Sequence, residues 1–333
     1  MTGPAFLTGG SGFVGGALLR GLIEQGRQVR SLARSAKAAA VVQAGGGVPV
    51  RGDLFDDDVL VDGMRGCETV FHVAGVNAMC LRDPDAMFRT NVDGSASVLR
   101  AASRADVGRM VFTSSAATIG EPRGVVGTED TPHRGTFLSA YERSKFLAER
   151  RVLELGAELG VNVVCVNPSS VQGPGRTQGS ARLLIDLVNA RRAVVVETFL
   201  SIVDVDDCTS GHLAAETRGR PGQRYLLNGA SLTTSRAVAL VQAVAGRPRG
   251  VLRVPRAVAP AAGALADLSS RLMRRDLPFC SELARTLLHG HRYDGSLATR
   301  ELGLVYRPID KTVARTLAWY ADRGLIRSPG GVP

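Results

Sequence analysis

Lysine is almost absent from this chain: only Lys37, Lys145 and Lys311 occur, against 38 arginines (41 basic residues minus three). Aromatic residues make up 5%, with one tryptophan and five tyrosines. The net charge is +10, yet it is carried by scattered arginines with no lysine tract and no basic run longer than two residues. Without a basic stripe or interleaved aromatics, a nucleic-acid partner is not expected, and the charge reads as a compositional preference for arginine. Long apolar runs are missing as well. The region 257–266 (AVAPAAGALA) is too short to span a bilayer, contains Pro260 and is flanked by Arg253, Arg256 and Asp267. The first residues, MTGPAFLTGGSG, lack the basic start of a signal peptide, so a cytoplasmic location is expected. The five cysteines (67, 80, 165, 208 and 280) are odd in number and show no C-x-x-C spacing. They read as reduced thiols, neither a disulfide scaffold nor a zinc site. His289 and His291 have no close-set carboxylate or cysteine in the sequence and read as a solvated helix end, so no metal is expected.

What is present is a rhythm. Apolar runs at Pro4–Thr8, Val29–Ala33, Val48–Arg51, Thr69–Val73, Arg109–Thr113 and Val161–Asn167 alternate with helical patterns over Gly12–Gln25, Asp83–Ala105 and Ser139–Leu159. Apolar strands separated by helices predict an α/β fold with a doubly wound parallel sheet, covered on both faces. After about residue 168 the pattern loosens. A turn-rich loop is followed by a helix over Ser180–Arg191, strands near Ile202–Val205 and Arg224–Leu227, and helices over 233–246 and 257–273. The expected organisation is a nucleotide-binding domain over 1–170, with part of 200–230, and a smaller substrate-binding subdomain mainly within 171–333. The alanines of 257–273 read as lining that subdomain; contact with a membrane surface is the other reading open to this helix.

Thr8 to Gly15 reads TGGSGFVG, between the first strand and the first helix. Gly9 permits a tight turn, Gly12 lets backbone N–H groups approach a pyrophosphate, and Gly15 lets helix and strand pack closely. Thr8, Ser11, Phe13 and Val14 complete this expected cofactor loop. The second strand runs into Ser31-Leu-Ala-Arg34-Ser35, with an arginine where an acid would hold a ribose hydroxyl. Arg34, with Lys37 as a second contact, therefore predicts a preference for NADP(H) over NAD(H).

Residues 141–145 read YERSK and join two scarce residue types. Four residues apart on a helix, Tyr141 and Lys145 share a face. A free tyrosine titrates near pH 10, and a neighbouring ammonium is expected to lower that value and make the phenol a usable acid and base. The fifth strand ends in Val111-Phe-Thr-Ser-Ser115, where Ser115, or failing it Ser114, can donate to a developing oxyanion.

Together these segments resemble the extended short-chain dehydrogenase/reductase family, over about residues 4–230 and again 292–308. The resemblance rests on TGGSGFVG, GDL (52–54), HVAG (72–75), NVDGSASVL (91–99), FTSSAAT (112–118), YERSK, NPSSVQGPGR (167–176), DVDDCTSGH (204–212), GQRYLLNG (222–229) and YDGSLATRELG (293–303). It implies a Ser115–Tyr141–Lys145 triad, with Lys145 also on the nicotinamide ribose. Asp53 and Leu54 would contact the adenine, and Ala74, Gly75 and Thr113 would run beside the cofactor. Pro168 and Ser170 would lie near the nicotinamide amide, and Asn91 would be structural or part of a proton relay. The arginine after the second strand and NPSSVQGPG look closer to dihydroflavonol-reductase-like and hydroxysteroid-dehydrogenase-like members than to nucleotide-sugar epimerases. Residues 193–200 (AVVVETFL) depart from the glycine-rich turn common there. The expected activity is NADP(H)-dependent interconversion of a ketone or aldehyde and its alcohol on a largely apolar small molecule. Val76, Asn77, Met79, Phe137 and Val171 would line the pocket, and a homodimer is the family expectation. A nucleotide-sugar epimerase or dehydratase with tightly bound NAD, using Arg176 or Arg182 for a diphosphate, is the alternative. A non-catalytic cofactor-binding regulator is the third reading.

Overall fold

The computed structural model describes residues 3–190, 192–246 and 250–326. Its strands in chain order are β1 (Ala5–Thr8), β2 (Val29–Ala33), β3 (Val48–Arg51), β4 (Thr69–His72), β5 (Arg109–Thr113), β6 (Asn162–Pro168), β7 (Ser170–Gln172), β8 (Arg192–Val195), β9 (Phe199–Asp204), β10 (Arg224–Leu227), β11 (Ala230–Thr233) and β12 (Gly250–Arg253). The helices are α1 (Phe13–Glu24), α2 (Ala36–Ala44), α3 (Asp57–Met64), α4 (Asp85–Phe88), α5 (Gly94–Arg104), α6 (Ala140–Leu159), α7 (Ser180–Asn189), α8 (Val205–Arg218), α9 (Thr234–Ala245), α10 (Val258–Met273), α11 (Ser281–His289) and α12 (Ile309–Asp322).

Seven strands form one parallel sheet in the order β10-β6-β5-β4-β1-β2-β3. Each parallel connection needs a crossover, and helices on both faces supply it. The central strands are therefore buried on both sides and read as continuous apolar runs. Side chains still alternate. Met110 and Phe112 of β5 join one core with Leu99 of α5 and Val152 of α6, while Val111 joins the other with Leu18 of α1 and Cys208 of α8. Strand order reverses between β1 and β4, which opens a crevice at their carboxyl ends, where such sheets bind ligands.

The later chain builds the cap of this crevice. A three-stranded sheet, β11-β9-β7, and the pair β12-β8 are joined by a helical core in which Ile185, Val241, Leu317 and Tyr320 meet. The helix expected over 83–105 is interrupted by a π-helical turn at Arg89–Asp93. Residue 191, the expected end of α7, lies outside the described residues.

The reading of all five thiols as reduced is corrected. Cys80 and Cys280 form a disulfide across 200 residues, while Cys67, Cys165 and Cys208 are free and buried. No local spacing announces the bond, because only the folded cap brings the two together. Cys80 has φ 63°, a left-handed conformation unusual for a side chain with a Cβ. Its N–H donates to Glu282 on α11 (3.3 Å).

Candidate active site

The glycine loop closes β1 onto α1. Gly9 has φ +79°, and a Cβ there would come within 2.8 Å of the Ala74 nitrogen. A Cβ on Gly15 would lie 2.0 Å from the Gly9 carbonyl oxygen, so only glycine fits. Gly12 caps α1 without any side-chain hydrogen bond, and the first turn carries no acidic residue. Its N–H groups and the positive end of the helix thus suit the pyrophosphate of a dinucleotide.

Behind the loop runs a hydrogen-bond chain anchored on His72, a residue absent from the expected site. Ala74 N–H donates to Thr8 Oγ1 (3.1 Å), and Thr8 Oγ1 lies 2.6 Å from His72 Nδ1. His72 Nε2 lies 2.9 Å from Ser95 Oγ, which donates to the Asn91 carbonyl (2.6 Å). Because Ser95 spends its proton on that carbonyl, the consistent tautomer carries its hydrogen on Nε2 and accepts from Thr8 at Nδ1. Burial, aided by the Lys145 charge, holds His72 neutral and pushes its pKa down to about 3. The signal in the sequence was a histidine at the end of an otherwise apolar strand.

Asn91 occupies the π-helical turn. Its Oδ1 accepts from Val76 N–H (2.7 Å), and its Nδ2 donates to the Val76 carbonyl (3.0 Å) and to Ser144 Oγ (2.9 Å). It fastens the stretch after Gly75 to α6, a structural role. π-Turns of this kind recur at functional sites.

α6 begins with a reciprocal cap. Ser139 Oγ accepts from Glu142 N–H (3.1 Å), and the Glu142 carboxylate accepts from Leu138 N–H (2.8 Å). This places Tyr141 in the first turn. Its phenol comes under the influence of the Ser115 side chain, which caps the short turn after β5. Ser114 is buried beside it. Lys145, one turn on, donates from Nζ to the Thr113 carbonyl (2.7 Å) and sits 4.8 Å from the Phe112 ring centroid. The structure thus gathers Ser115, Tyr141 and Lys145 at the carboxyl end of β5. One expectation changes. Tyr141 is shifted upward by desolvation, opposed by the Ser115 side chain and the Arg176 charge, and the lysine is not among the groups acting on it. The ammonium is turned toward Thr113, and burial takes Lys145 down to about 8, against the attraction of Glu149.

Glu149 was also missed, although it continues the four-residue spacing from Tyr141 through Lys145. It is buried, accepts from Thr118 Oγ1 (3.0 Å) and Asn167 Nδ2, and pairs with Arg224 (3.2 Å). Thr113 Oγ1 also meets His212 Nε2 (2.8 Å). His212 Nδ1 contacts the Cys208 carbonyl (2.7 Å), and burial takes its pKa down to about 4.

Arg176 closes the other side. Its guanidinium lies 5.7 Å from the Phe13 ring centroid, donates to the Val171 carbonyl (2.9 Å) and acts electrostatically on Tyr141. Arg182 instead pairs with Asp186 on its own helix (3.0 Å). Arg34 and Lys37 are exposed beyond β2, and Arg51, the β3 partner of Ala33, is a further cation at that edge. Asp53 N–H donates to Asp56 (2.6 Å), while Leu54 packs in the core. Val76, Asn77 and Met79 follow Gly75 into the disulfide loop, with Asn77 exposed. Phe137 packs against His133 and Phe146, 5.1 and 5.3 Å between ring centroids, as part of an aromatic cluster. Pro168 ends β6 beside this crevice and Ser170 starts β7.

The profile of the NAD-dependent epimerase/dehydratase family matches residues 5–227. The chain belongs to that family. Its members among the extended short-chain dehydrogenases/reductases include a putative dihydroflavonol 4-reductase of Synechocystis sp., 31% identical over 97% of this chain and 96% of the relative. Sterol demethylase protein B of Methylococcus capsulatus is 31% identical over 96% and 99%. Among solved structures, that of gox2253 superposes with a TM-score of 0.84 at 29% identity, covering 97% of this chain and 99% of the other. This family member is an NAD(P)-dependent oxidoreductase.

The two histidines read as a solvated helix end are corrected. His289 and His291 lean on buried Glu121, 168 residues from His289, with His291 Nδ1 2.6 Å and His289 Nε2 3.4 Å from its carboxylate. A carboxylate does accompany them, contributed by the turn after β5.

Proposed function

We propose that this enzyme is an NADP(H)-dependent reductase of ketones or aldehydes on largely apolar small molecules, working also in the oxidative direction. The observation that carries the reading is the gathering of Ser115 and Tyr141 at the carboxyl end of β5, with Lys145 one turn behind on the Thr113 carbonyl. The bound dinucleotide supplies the hydride. Thr8, Gly9, Ser11, Gly12, Phe13, Val14 and Gly15 hold its pyrophosphate side, with Ala74 and Gly75 alongside. Arg34 and Lys37 take the extra phosphate. A substrate carbonyl oxygen seated between Ser115 Oγ and Tyr141 Oη accepts both hydroxyls, and Tyr141 gives it a proton as charge develops. The upward shift of Tyr141 keeps that proton available at neutral pH. Lys145 holds the Thr113 carbonyl at the end of β5, and Asn91 and Ser144 hold the helix turn that carries Tyr141 and Lys145. Relatives of this chain named as a ketoreductase and as 2-alkyl-3-oxoalkanoate reductases favour a carbonyl substrate with apolar substituents.

The test is oxidation of NADPH and of NADH across aromatic ketones, steroid ketones, aldehydes and nucleotide sugars. Consumption of NADPH with the apolar ketones is expected. NAD that copurifies tightly, with a nucleotide sugar epimerised and no net consumption of cofactor, overturns the reading in favour of the epimerase.

A further inference from the structure

The helix α10 is amphipathic the wrong way round for a helix of a globular core. Its one buried residue among those described is Gly263, where a Cβ would come within 2.9 Å of Ser281 Cα. Asp267, one turn on, accepts from Ser281 N–H (3.1 Å), so this face is pinned to α11. Leu272 lies nine residues beyond Gly263, about 2.5 turns and hence on the opposite side. Val258, Leu265 and Leu268 fall within about 60° of Leu272 around the axis. The exposures are 66% for Leu265, 54% for Leu268, 77% for Leu272 and 52% for Met273. Single exposed leucines are ordinary, but a stripe of them along one helix marks a surface that meets something.

Charge indicates what it meets. Arg271, Arg274 and Arg275 are exposed at the carboxyl end of the stripe, and Arg253 and Arg256 are exposed before its start. The acids of the segment are engaged elsewhere: Asp267 as described, and Asp276 with Arg82 N–H (3.0 Å). The whole chain adds a net charge of +10. An apolar helical face rimmed by arginine is the arrangement that lies in a membrane interface, with the apolar side chains among the acyl groups and the cations on anionic headgroups. We propose that α10 docks this enzyme on an anionic lipid surface. Through α11 and Glu282 the docked helix is tied to the Cys80 loop and to Ala140, the residue before Tyr141, so the mouth of the crevice would lie near the lipid.

The test is co-sedimentation of the full chain with phosphatidylcholine vesicles and with mixed phosphatidylcholine–phosphatidylglycerol vesicles. The chain is expected to pellet with the anionic vesicles, weakly with the neutral ones, and less as salt rises. Leu265→Asp/Leu272→Asp and, separately, Arg271→Glu/Arg274→Glu/Arg275→Glu are each expected to lower the partition at least about tenfold while circular dichroism is unchanged. The proposal is overturned if the wild type stays in solution with both vesicles, or if both variants pellet like the wild type. It is equally overturned if the stripe proves to be a contact between copies. The wild type is then a dimer that Leu265→Asp/Leu272→Asp dissociates, and it does not bind vesicles. Sedimentation does not require turnover, so its outcome is separable from that of the reductase reading.

Discussion

Tyr141 and Arg34 are the residues on which the proposed reaction and the proposed cofactor preference rest. Replacing Tyr141 with Phe removes the proton donor and leaves the ring. We expect kcat to fall about 10²–10⁴-fold with KM little changed, as measured by steady-state NADPH oxidation with a reducible ketone; full activity in Tyr141→Phe would refute the proposed chemistry. The proposed role of Arg34 concerns the cofactor alone. A hydrogen-bonded ion pair to phosphate contributes about 1.5–3 kcal/mol, so Arg34→Ala is expected to raise the KM for NADPH about ten- to a hundredfold and leave that for NADH unchanged. Equal effects on both cofactors would remove Arg34 from the phosphate site. In the sequence, scarcity and spacing singled out Tyr141, and a missing acid singled out Arg34. His72 was not singled out, since its role depends on Thr8 and Ser95, which lie 64 and 23 residues away.

At the scale of elements, the seven strands of the large sheet behaved as their composition dictates, while β7 (within the segment read as a loop), β8, β11, β12 and several helices were not expected. α2, α3 and α11 are short, and α8 and α12 lie within or beyond the loosened pattern, so their apolar faces give little periodic signal. The π-helical turn was illegible for another reason: it is held by the tertiary bonds of Asn91, and no local propensity encodes it. Two neutral imidazoles are also buried, His72 closing β4 beside Thr8 of β1 and His212 of α8 against Thr113 of β5. Their pKa values fall to about 3 and about 4, from 6.5. The unfolded chain therefore binds protons that the fold refuses, across the window from 6.5 down to those values. Stability is fully present above pH 6.5 and is lost as the pH falls below it. Between pH 7 and pH 5 we expect a loss of about 2 kcal/mol per histidine in the free energy of urea unfolding. His212→Asn should show a correspondingly smaller drop; an unchanged pH dependence in that variant would contradict the assignment.

For the whole molecule, the decisive feature is how the second half grips the first. The disulfide joins the loop after β4 to the start of α11, and neither partner hints at the other in sequence. Glu121 with His289 and His291 was hidden in the same way. Alkylation of the denatured chain should label three cysteines before reduction and five after it. Cys280→Ser is expected to lose about 2–5 kcal/mol of stability and to become insensitive to reductant in thermal unfolding. Five labelled cysteines without reduction would exclude the bond.

Glu282 gives this grip a wider meaning. One carboxylate accepts from Cys80 N–H in the loop after β4 (3.3 Å) and from Ala140 N–H at the start of α6 (2.8 Å), and it is contributed by α11. The gap between that loop and α6 is therefore set from outside the catalytic sequence motifs. A grafted cap would have to bring its own counterpart of that carboxylate to keep the reacting groups in register.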